Sequence, residues 1–154
     1  MVAKDFCLLA IDENEQEINF CLRNYLGKDK DIVLYFYPKD DTPGCTTQAC
    51  DFRDNLNLLK DIAIVVGVSP DSLDSHRKFK EKYSLNFILV SDKDLQVIKD
   101  YDAYGEKTMY GKKTVGVIRS TYIISPEGEV KKRWKNVKAK GHIDQILKFY
   151  EVNK

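Results

Sequence analysis

The sequence predicts an α/β domain in which a mixed central β-sheet is flanked by helices, and three observations predict it. Short runs of β-branched and aromatic residues, Asp31 to Tyr37 (D-I-V-L-Y-F-Y), Ile62 to Val68 (I-A-I-V-V-G-V) and Phe87 to Val90 (F-I-L-V), are apolar at both parities, as strands covered on both faces are. Stretches of helical character alternate with them. Near the C-terminus two further strand-like runs are joined by a turn, which adds antiparallel pairing to the parallel β-α-β units.

Taken in order, Pro43 to Lys60 and Asp71 to Tyr83 predict helices between the apolar strands, and Asp94 to Tyr101 a third, shorter one. Val115 to Ile124 predicts one strand, S-P-E-G-E a turn, and Val130 to Trp134 a second strand. His142 to Tyr150 predicts a closing helix, with Ile143, Ile146, Leu147 and Tyr150 on one face. No repeat, low-complexity tract or linker interrupts the pattern. At 154 residues, 43% hydrophobic and 32% charged, residues 1–154 fit a single domain with enough apolar side chains to close a core.

Charge narrows the partners. A net charge of +1 gives no reason to expect a polyanion, since nucleic-acid binders carry a concentrated basic excess. The basic run Lys131 to Lys140 (K-K-R-W-K-N-V-K-A-K) is more simply a solvated strand and loop. The N-terminal stretch turns acidic before an apolar run reaches signal-peptide length, and no later run approaches a bilayer span, so a cytoplasmic chain with no membrane partner is expected. Four cysteines, Cys7, Cys21, Cys45 and Cys50, are too few to staple such a domain, and persistent structural disulfides are not expected in a reducing compartment. His76 and His142 lack partners at metal-ligand spacing and are expected at the surface, with no metal bound.

The stretch P-K-D-D-T-P-G-C-T-T-Q-A-C, Pro38 to Cys50, carries the chemistry. Thr42-Pro43 is a helix start: threonine suits the N-cap, and proline suits the first helical position, where its missing N–H would be unsatisfied anyway. Cys45 then falls in the first turn. The free backbone N–H groups and the positive end of the helix dipole favour an anion there, so this thiol is expected to ionise more readily than the free value of about 8.5 allows. Gly44 leaves room beside it. Ala49, Phe52, Leu56 and Leu59 share one helical face, and Cys45 lies in the same sector, toward the body of the protein.

Cys50 does not share that face. Five residues advance an ideal helix by about 7.5 Å and turn it about 140° past a full circle, separating the two α-carbons by about 8.6 Å. A disulfide tolerates roughly 7 Å. Either these thiols never pair, or the helix start unwinds when they do. The plain alternative for each cysteine is a small apolar filler, the reading adopted for Cys7 and Cys21. Thr42 reads as a cap, a role compatible with hydroxyl donation to something else.

Arg119 is the other unusual residue. In T-V-G-V-I-R-S-T-Y-I-I-S, Val115, Val117, Arg119, Thr121 and Ile123 alternate onto one face, and both faces are mainly apolar. A guanidinium buried without an anion is expensive, and no acidic residue lies within the run. A thiolate at Cys45 could be the partner; a distant carboxylate, or escape of the side chain to the sheet edge, would serve equally.

These residues carry a resemblance. The run Tyr35 to Asp54 (Y-F-Y-P-K-D-D-T-P-G-C-T-T-Q-A-C-D-F-R-D) resembles the active-site segment of the peroxiredoxins, specifically the bacterioferritin comigratory protein or peroxiredoxin Q group. Pro38, Thr42 and Cys45 meet the family pattern of proline, three residues, threonine, two residues, cysteine. Tyr110 to Ile124 resembles the family's arginine strand, and Gly67 to Ser72 the exit of its middle strand. The resemblance implies a thioredoxin-like fold with an N-terminal β-hairpin extension, and a thiol peroxidase of antioxidant defence that acts on hydrogen peroxide and organic hydroperoxides. It implies that Cys45 is the peroxidatic cysteine and passes through a sulfenic acid. Thr42, Gly44 and Arg119 then bind the peroxide, Pro38 shields the pocket, and Cys50 resolves the sulfenic acid as an intrachain disulfide. It implies recycling by thioredoxin or a similar dithiol, with no cofactor, and an intrachain bridge makes a monomer sufficient. Three competing readings are a general disulfide oxidoreductase, which the missing cysteine-x-x-cysteine disfavours, a redox sensor that signals through a partner, and a nucleic-acid binder.

Overall fold

A computed structural model describes residues 1–152. The chain opens with β1 (Cys7–Ile11) and β2 (Glu17–Cys21), an antiparallel hairpin followed by a 3-10 turn at Leu22–Tyr25. β3 (Asp31–Phe36), α1 (Pro43–Leu59), β4 (Ala63–Ser69), α2 (Leu73–Tyr83) and β5 (Ile88–Ser91) form two successive β-α-β units with parallel strands. α3 (Gln96–Asp100), β6 (Tyr104–Met109), β7 (Lys112–Val117), β8 (Ser120–Ile124), β9 (Val130–Lys135) and α4 (His142–Phe149) complete the order. Seven strands make one sheet in the order β2-β1-β5-β4-β3-β8-β9, with β8 antiparallel to β3, while β6 and β7 pair only with each other. This is the expected mixed thioredoxin-like sheet, and the N-terminal hairpin joins it through Ala10 opposite Val90 and Ile11 opposite Leu89.

Strand alternation divides the core in two. Ile32, Leu34 and Phe36 face one side with Val97 and Ile98 of α3; Val33 and Tyr35 face the other, under Ala49 and Phe52 of α1, Phe79 of α2 and Ile146 of α4. Every residue of β3 is buried, which is why its sequence shows no polar parity. The stacked rings of Tyr35 and Phe52, 4.6 Å apart, fix α1 over the centre of the sheet. Among the described residues no helix is long and apolar enough to cross a membrane.

The structure corrects two expectations about order along the chain. Val115 to Ile124 is not one strand. β7 pairs with β6 and β8 with β3 and β9, so the chain changes partner at Ile118 and Arg119, where Ile118 N–H donates to Ala103 and Val137 N–H to the Arg119 carbonyl. The β6–β7 hairpin was not foreseen, because its residues carry no apolar parity; its Tyr110-Gly111 turn has φ of 53° and 78°. Cys7 and Cys21 are not fillers either. They stand directly opposite each other in the hairpin register and form a disulfide. Spacing alone did not reveal the pair, since it depends on which residues the hairpin turn brings face to face.

One buried charge has a measurable consequence. α2 is capped at its start by the Ser72 hydroxyl and ends at Ser84 with φ of 53°. Lys80, 1% exposed, turns inward and donates its ammonium to the carbonyls of Leu85 and Phe87. Burial lowers its pKa from 10.5 to about 8. Between those values the unfolded chain holds a proton that the folded chain has lost, so this residue makes stability rise with pH. Chemical unfolding from pH 8 to 10 is expected to show wild type gaining about 1 kcal/mol per pH unit on Lys80→Met; a constant difference would contradict it.

Candidate active site

α1 begins as the sequence indicates, but its cap differs. Asp41, at φ of 56°, turns the chain into Thr42, and Thr46 N–H donates to the Thr42 carbonyl at 2.8 Å to open the helix. The Thr42 hydroxyl does not accept from the Cys45 amide as a side-chain cap would. It donates back to the Lys39 carbonyl at 2.9 Å. The first amides of α1, at the turn that carries Cys45, therefore lack a side-chain cap.

Cys45 is 2% exposed and its thiol is free. Arg119 Nη2 lies 3.3 Å from its sulfur, and Nη1 donates to Gln48 Oε1 at 2.6 Å. One planar guanidinium thus spans the sulfur and an amide one helical turn further on, a fork that a lysine could not reproduce. Gly44 eases this approach: a Cβ there would lie 3.3 Å from Arg119 Nη2, close enough that the guanidinium would have to shift by a few tenths of an ångström, and in ordinary contact with Ala139 Cβ at 3.7 Å. Gln48 was not singled out in the sequence, although its three-residue spacing from Cys45 on the same helix was a usable signal. Its Nε2 is buried with no partner among the described residues.

Other groups sit close. Lys107 reaches over from β6 and donates to the Val117 carbonyl at 2.9 Å; burial and then Arg119 lower its pKa, against a smaller opposing pull from Cys45. The unforeseen hairpin thereby brings a second cation toward the site. His142, expected at the surface, is 1% exposed, with Nε2 2.8 Å from Thr121 Oγ1 and Nδ1 2.8 Å from Gln145 Oε1. Burial holds its ring below the ordinary 6.5 and Arg119 adds to that, with the Gln145 bond opposing. Pro38 lies half-buried at the exit of β3. Cys50 is a free, half-buried thiol, pushed up from 9.0 by burial, with Arg53 opposing and Asp54 and Asp51 adding.

The loop between Pro38 and Thr42 is bolted to α2. Asp40 Oδ1 accepts from the Tyr37 hydroxyl at 2.6 Å, and Oδ2 meets the Ser75 hydroxyl at 2.8 Å and His76 Nδ1 at 2.7 Å. The Asp40 amide donates to Asp71 Oδ2 at 2.7 Å. His76, also expected at the surface, is 0% exposed. Its Nε2 faces the Val90 carbonyl, which can only accept, so Nε2 carries a proton and a second proton lies between Nδ1 and the carboxylate. Both histidines were misplaced for a related reason: each is buried against a partner distant in sequence, Asp40 for His76 and Thr121 for His142. Asp41 is held in turn by Lys82 Nζ at 2.8 Å and the Tyr83 hydroxyl at 2.7 Å.

The chain resembles known proteins over most of its length. The profile of the AhpC/TSA family matches residues 1–133. A putative peroxiredoxin Bcp of Helicobacter pylori is 47% identical over 147 residues, covering 95% of this chain and 93% of the relative. Peroxiredoxin Bcp of Bacillus subtilis is 48% identical over 127 residues, covering 82% and 80%. The structure of a cysteine-to-serine mutant of Xanthomonas campestris peroxiredoxin Q superimposes with a TM-score of 0.84 at 39% identity, covering 95% of this chain and 89% of that one. Another structure, described as addressing alkyl peroxide reduction by the X. campestris bacterioferritin comigratory protein, gives 0.82 at 39% identity, covering 95% and 90%.

The bolted loop yields a stability test. His76→Leu leaves the buried Asp40 carboxyl without its proton-sharing partner, and urea unfolding is expected to show a loss of about 3 kcal/mol, with part recovered on adding Asp40→Asn. A loss under about 0.5 kcal/mol would mean that the pair does not hold the loop.

Proposed function

We propose, for a chain that belongs to the AhpC/TSA family and within it to the Bcp/peroxiredoxin Q group, that Cys45 is the peroxidatic cysteine, Cys50 its resolving partner, and Arg119, Thr42, Gly44 and Pro38 the pocket that holds the hydroperoxide. As a peroxiredoxin the chain is a thiol peroxidase, and peroxiredoxins act on hydroperoxides and are reduced by thioredoxin-type reductants. The observation that supports the residue assignment best is the 3.3 Å contact between Arg119 Nη2 and Cys45 Sγ.

The chemistry follows from that contact and the open helix start. The Cys45 sulfur, as thiolate, attacks the terminal oxygen of the hydroperoxide; the S–O bond forms as the O–O bond breaks, giving Cys45 sulfenic acid and an alkoxide or hydroxide that takes up a proton. Arg119 and the first amides of α1 donate to the oxygens as negative charge moves from sulfur to the leaving oxygen, without reorienting at the moment of reaction. The Thr42 hydroxyl already donates its proton to Lys39, so the role left to its oxygen is acceptance of the hydroperoxide O–H, which aligns the O–O axis. Gly44 admits the substrate to the amides, and Pro38 keeps water from the sulfur. Gln48 positions Arg119.

Resolution requires movement. At the ideal helical separation of about 8.6 Å the two α-carbons are too far apart for a disulfide, so the first turn of α1 unwinds before Cys50 condenses with the sulfenic acid and releases water. A dithiol such as thioredoxin then reduces the bridge by exchange, restoring both thiols and leaving with its own disulfide. The cycle closes within one chain, so a monomer suffices, and residues 1–154 act as a single domain. A cycle that draws on reduced dithiol suits the cytoplasm.

Peptide mapping after one equivalent of peroxide tests the assignment. Wild type is expected to carry a Cys45–Cys50 crosslink, and Cys50→Ser an oxygen adduct on Cys45; a crosslink from Cys45 to Cys7 or Cys21 would overturn the resolving role. Because burial raises Cys50 above 9.0, the condensation rate is expected to climb with pH across the neutral range, by up to about tenfold per unit, without a plateau below about pH 9.

A further inference from the structure

The Cys7–Cys21 bridge stands apart from the peroxide site. β1 is separated from β3 by two intervening strands, about 14 Å of lateral spacing at about 4.8 Å per step, and Cys45 lies beyond the end of β3 on α1. Cys45 and Cys50 are free thiols in the same structure, so the bridge is no part of their cycle as drawn. The two bridged sulfurs differ in surroundings: Cys7 is exposed at the start of β1, whereas Cys21 is 5% exposed. The Asn19 side-chain amide donates toward the Cys21 sulfur at 4.0 Å.

We propose that Cys7–Cys21 is a second thiol–disulfide exchange site, opened by a dithiol that attacks the exposed Cys7 sulfur and expels Cys21. The incoming thiolate forms a bond to Cys7 Sγ while the bond to Cys21 Sγ breaks, and the electron pair stays on Cys21 as a thiolate, toward which the Asn19 amide N–H donates. The second thiol of the reductant then attacks its own sulfur in the mixed disulfide, leaving Cys7 and Cys21 as thiols and the reductant as a disulfide. The protons given up by the dithiol end on the two cysteines. The reverse reaction with the oxidised reductant restores the bridge.

The hairpin is built so that this exchange is reversible without unfolding the sheet. Its anchorage to β5 lies at the far end, at Ala10 and Ile11. At the cysteine end the strands remain aligned by Leu22 N–H on the Phe6 carbonyl at 3.0 Å and by Asp5, which accepts from the Arg23 amide at 3.1 Å and the Arg23 guanidinium at 2.7 Å. Phe6 and Phe20, with ring centroids 5.7 Å apart, pack beneath the same end. Two reduced thiols would therefore stay face to face, ready to close again. A disulfide that opens in this manner reports the redox state of the surrounding dithiol pool at a place remote from peroxide.

A Cys45→Ser/Cys50→Ser chain isolates the bridge, so the test is independent of the roles given to those two residues. The folded protein is equilibrated with stepped ratios of reduced to oxidised dithiothreitol from both directions, quenched in acid, alkylated with N-ethylmaleimide and weighed. Two alkyl groups are expected to appear together, along the same curve in both directions, with the circular dichroism of the folded chain retained. Opening only in denaturant, only with loss of the folded signal, or failure to re-form would overturn the proposal and make the bridge a structural staple or an absent one. Thioredoxin whose resolving cysteine is replaced by serine traps the attack: an adduct on Cys7 is expected to exceed that on Cys21 by about tenfold, and predominance on Cys21 would overturn the direction.

Discussion

The hydrogen bond from Arg119 to the sulfur of Cys45 is the constraint around which the rest of the molecule is arranged. A guanidinium inside a protein needs acceptors for its fixed fork of donors, and here one arm meets sulfur and the other the Gln48 amide oxygen. Much of the local architecture serves that meeting. The change of partner between β7 and β8 places Arg119 at the junction of hairpin and sheet, and Val137 pins its carbonyl. Glycine at position 44 spares the guanidinium a tight 3.3 Å contact with a Cβ, and Ala49 and Phe52 seat the same helix on β3.

The site combines a fixed frame with a loose end. Residues 40 and 41 are tied to α2 through Ser75, His76, Lys82 and Tyr83 and to the Asp71 carboxylate before it, so the loop that carries Pro38 and Thr42 stays where β3 and α2 put it. The far half of α1 is held by the stacking of Phe52 on Tyr35 and by Leu59 in the core. Between these anchors lies one turn that no side chain caps. A capping bond is worth about 1 kcal/mol, and its omission leaves the first turn of α1 without that stabilisation. The two thiols lie on either side of this division: Cys45 is in the uncapped first turn, and Cys50, further along the helix, is pushed up from its ordinary pKa by burial.

Much of this was legible in the sequence, for reasons that can be named. β3, β4 and β5 are covered on both faces, so their residues are apolar without interruption, and Thr42-Pro43 announces a helix start through backbone chemistry that needs no tertiary partner. Arg119 was conspicuous as a lone charge in an apolar run. What stayed hidden depends on contacts between distant segments. The cysteines at 7 and 21 meet only once the hairpin register is known, and the β6–β7 hairpin is mostly polar in sequence, with a tyrosine at a positive-φ position where asparagine would have signalled a turn. His76 finds its carboxylate 36 residues away and His142 its hydroxyl 21 residues away. A threonine at the N-cap position does not by itself reveal whether its oxygen faces forward to the helix amides or, as here, back to Lys39.

The most direct test of the account is the rate at which peroxide oxidises Cys45 in single turnover, with Arg119→Met set beside the unsubstituted chain and both confirmed to be folded. Methionine fills similar volume without a donor, so if Arg119 stabilises charge on sulfur and oxygen as the bond breaks, the rate falls by about 10²- to 10³-fold. A rate within about twofold of the unsubstituted chain would contradict it.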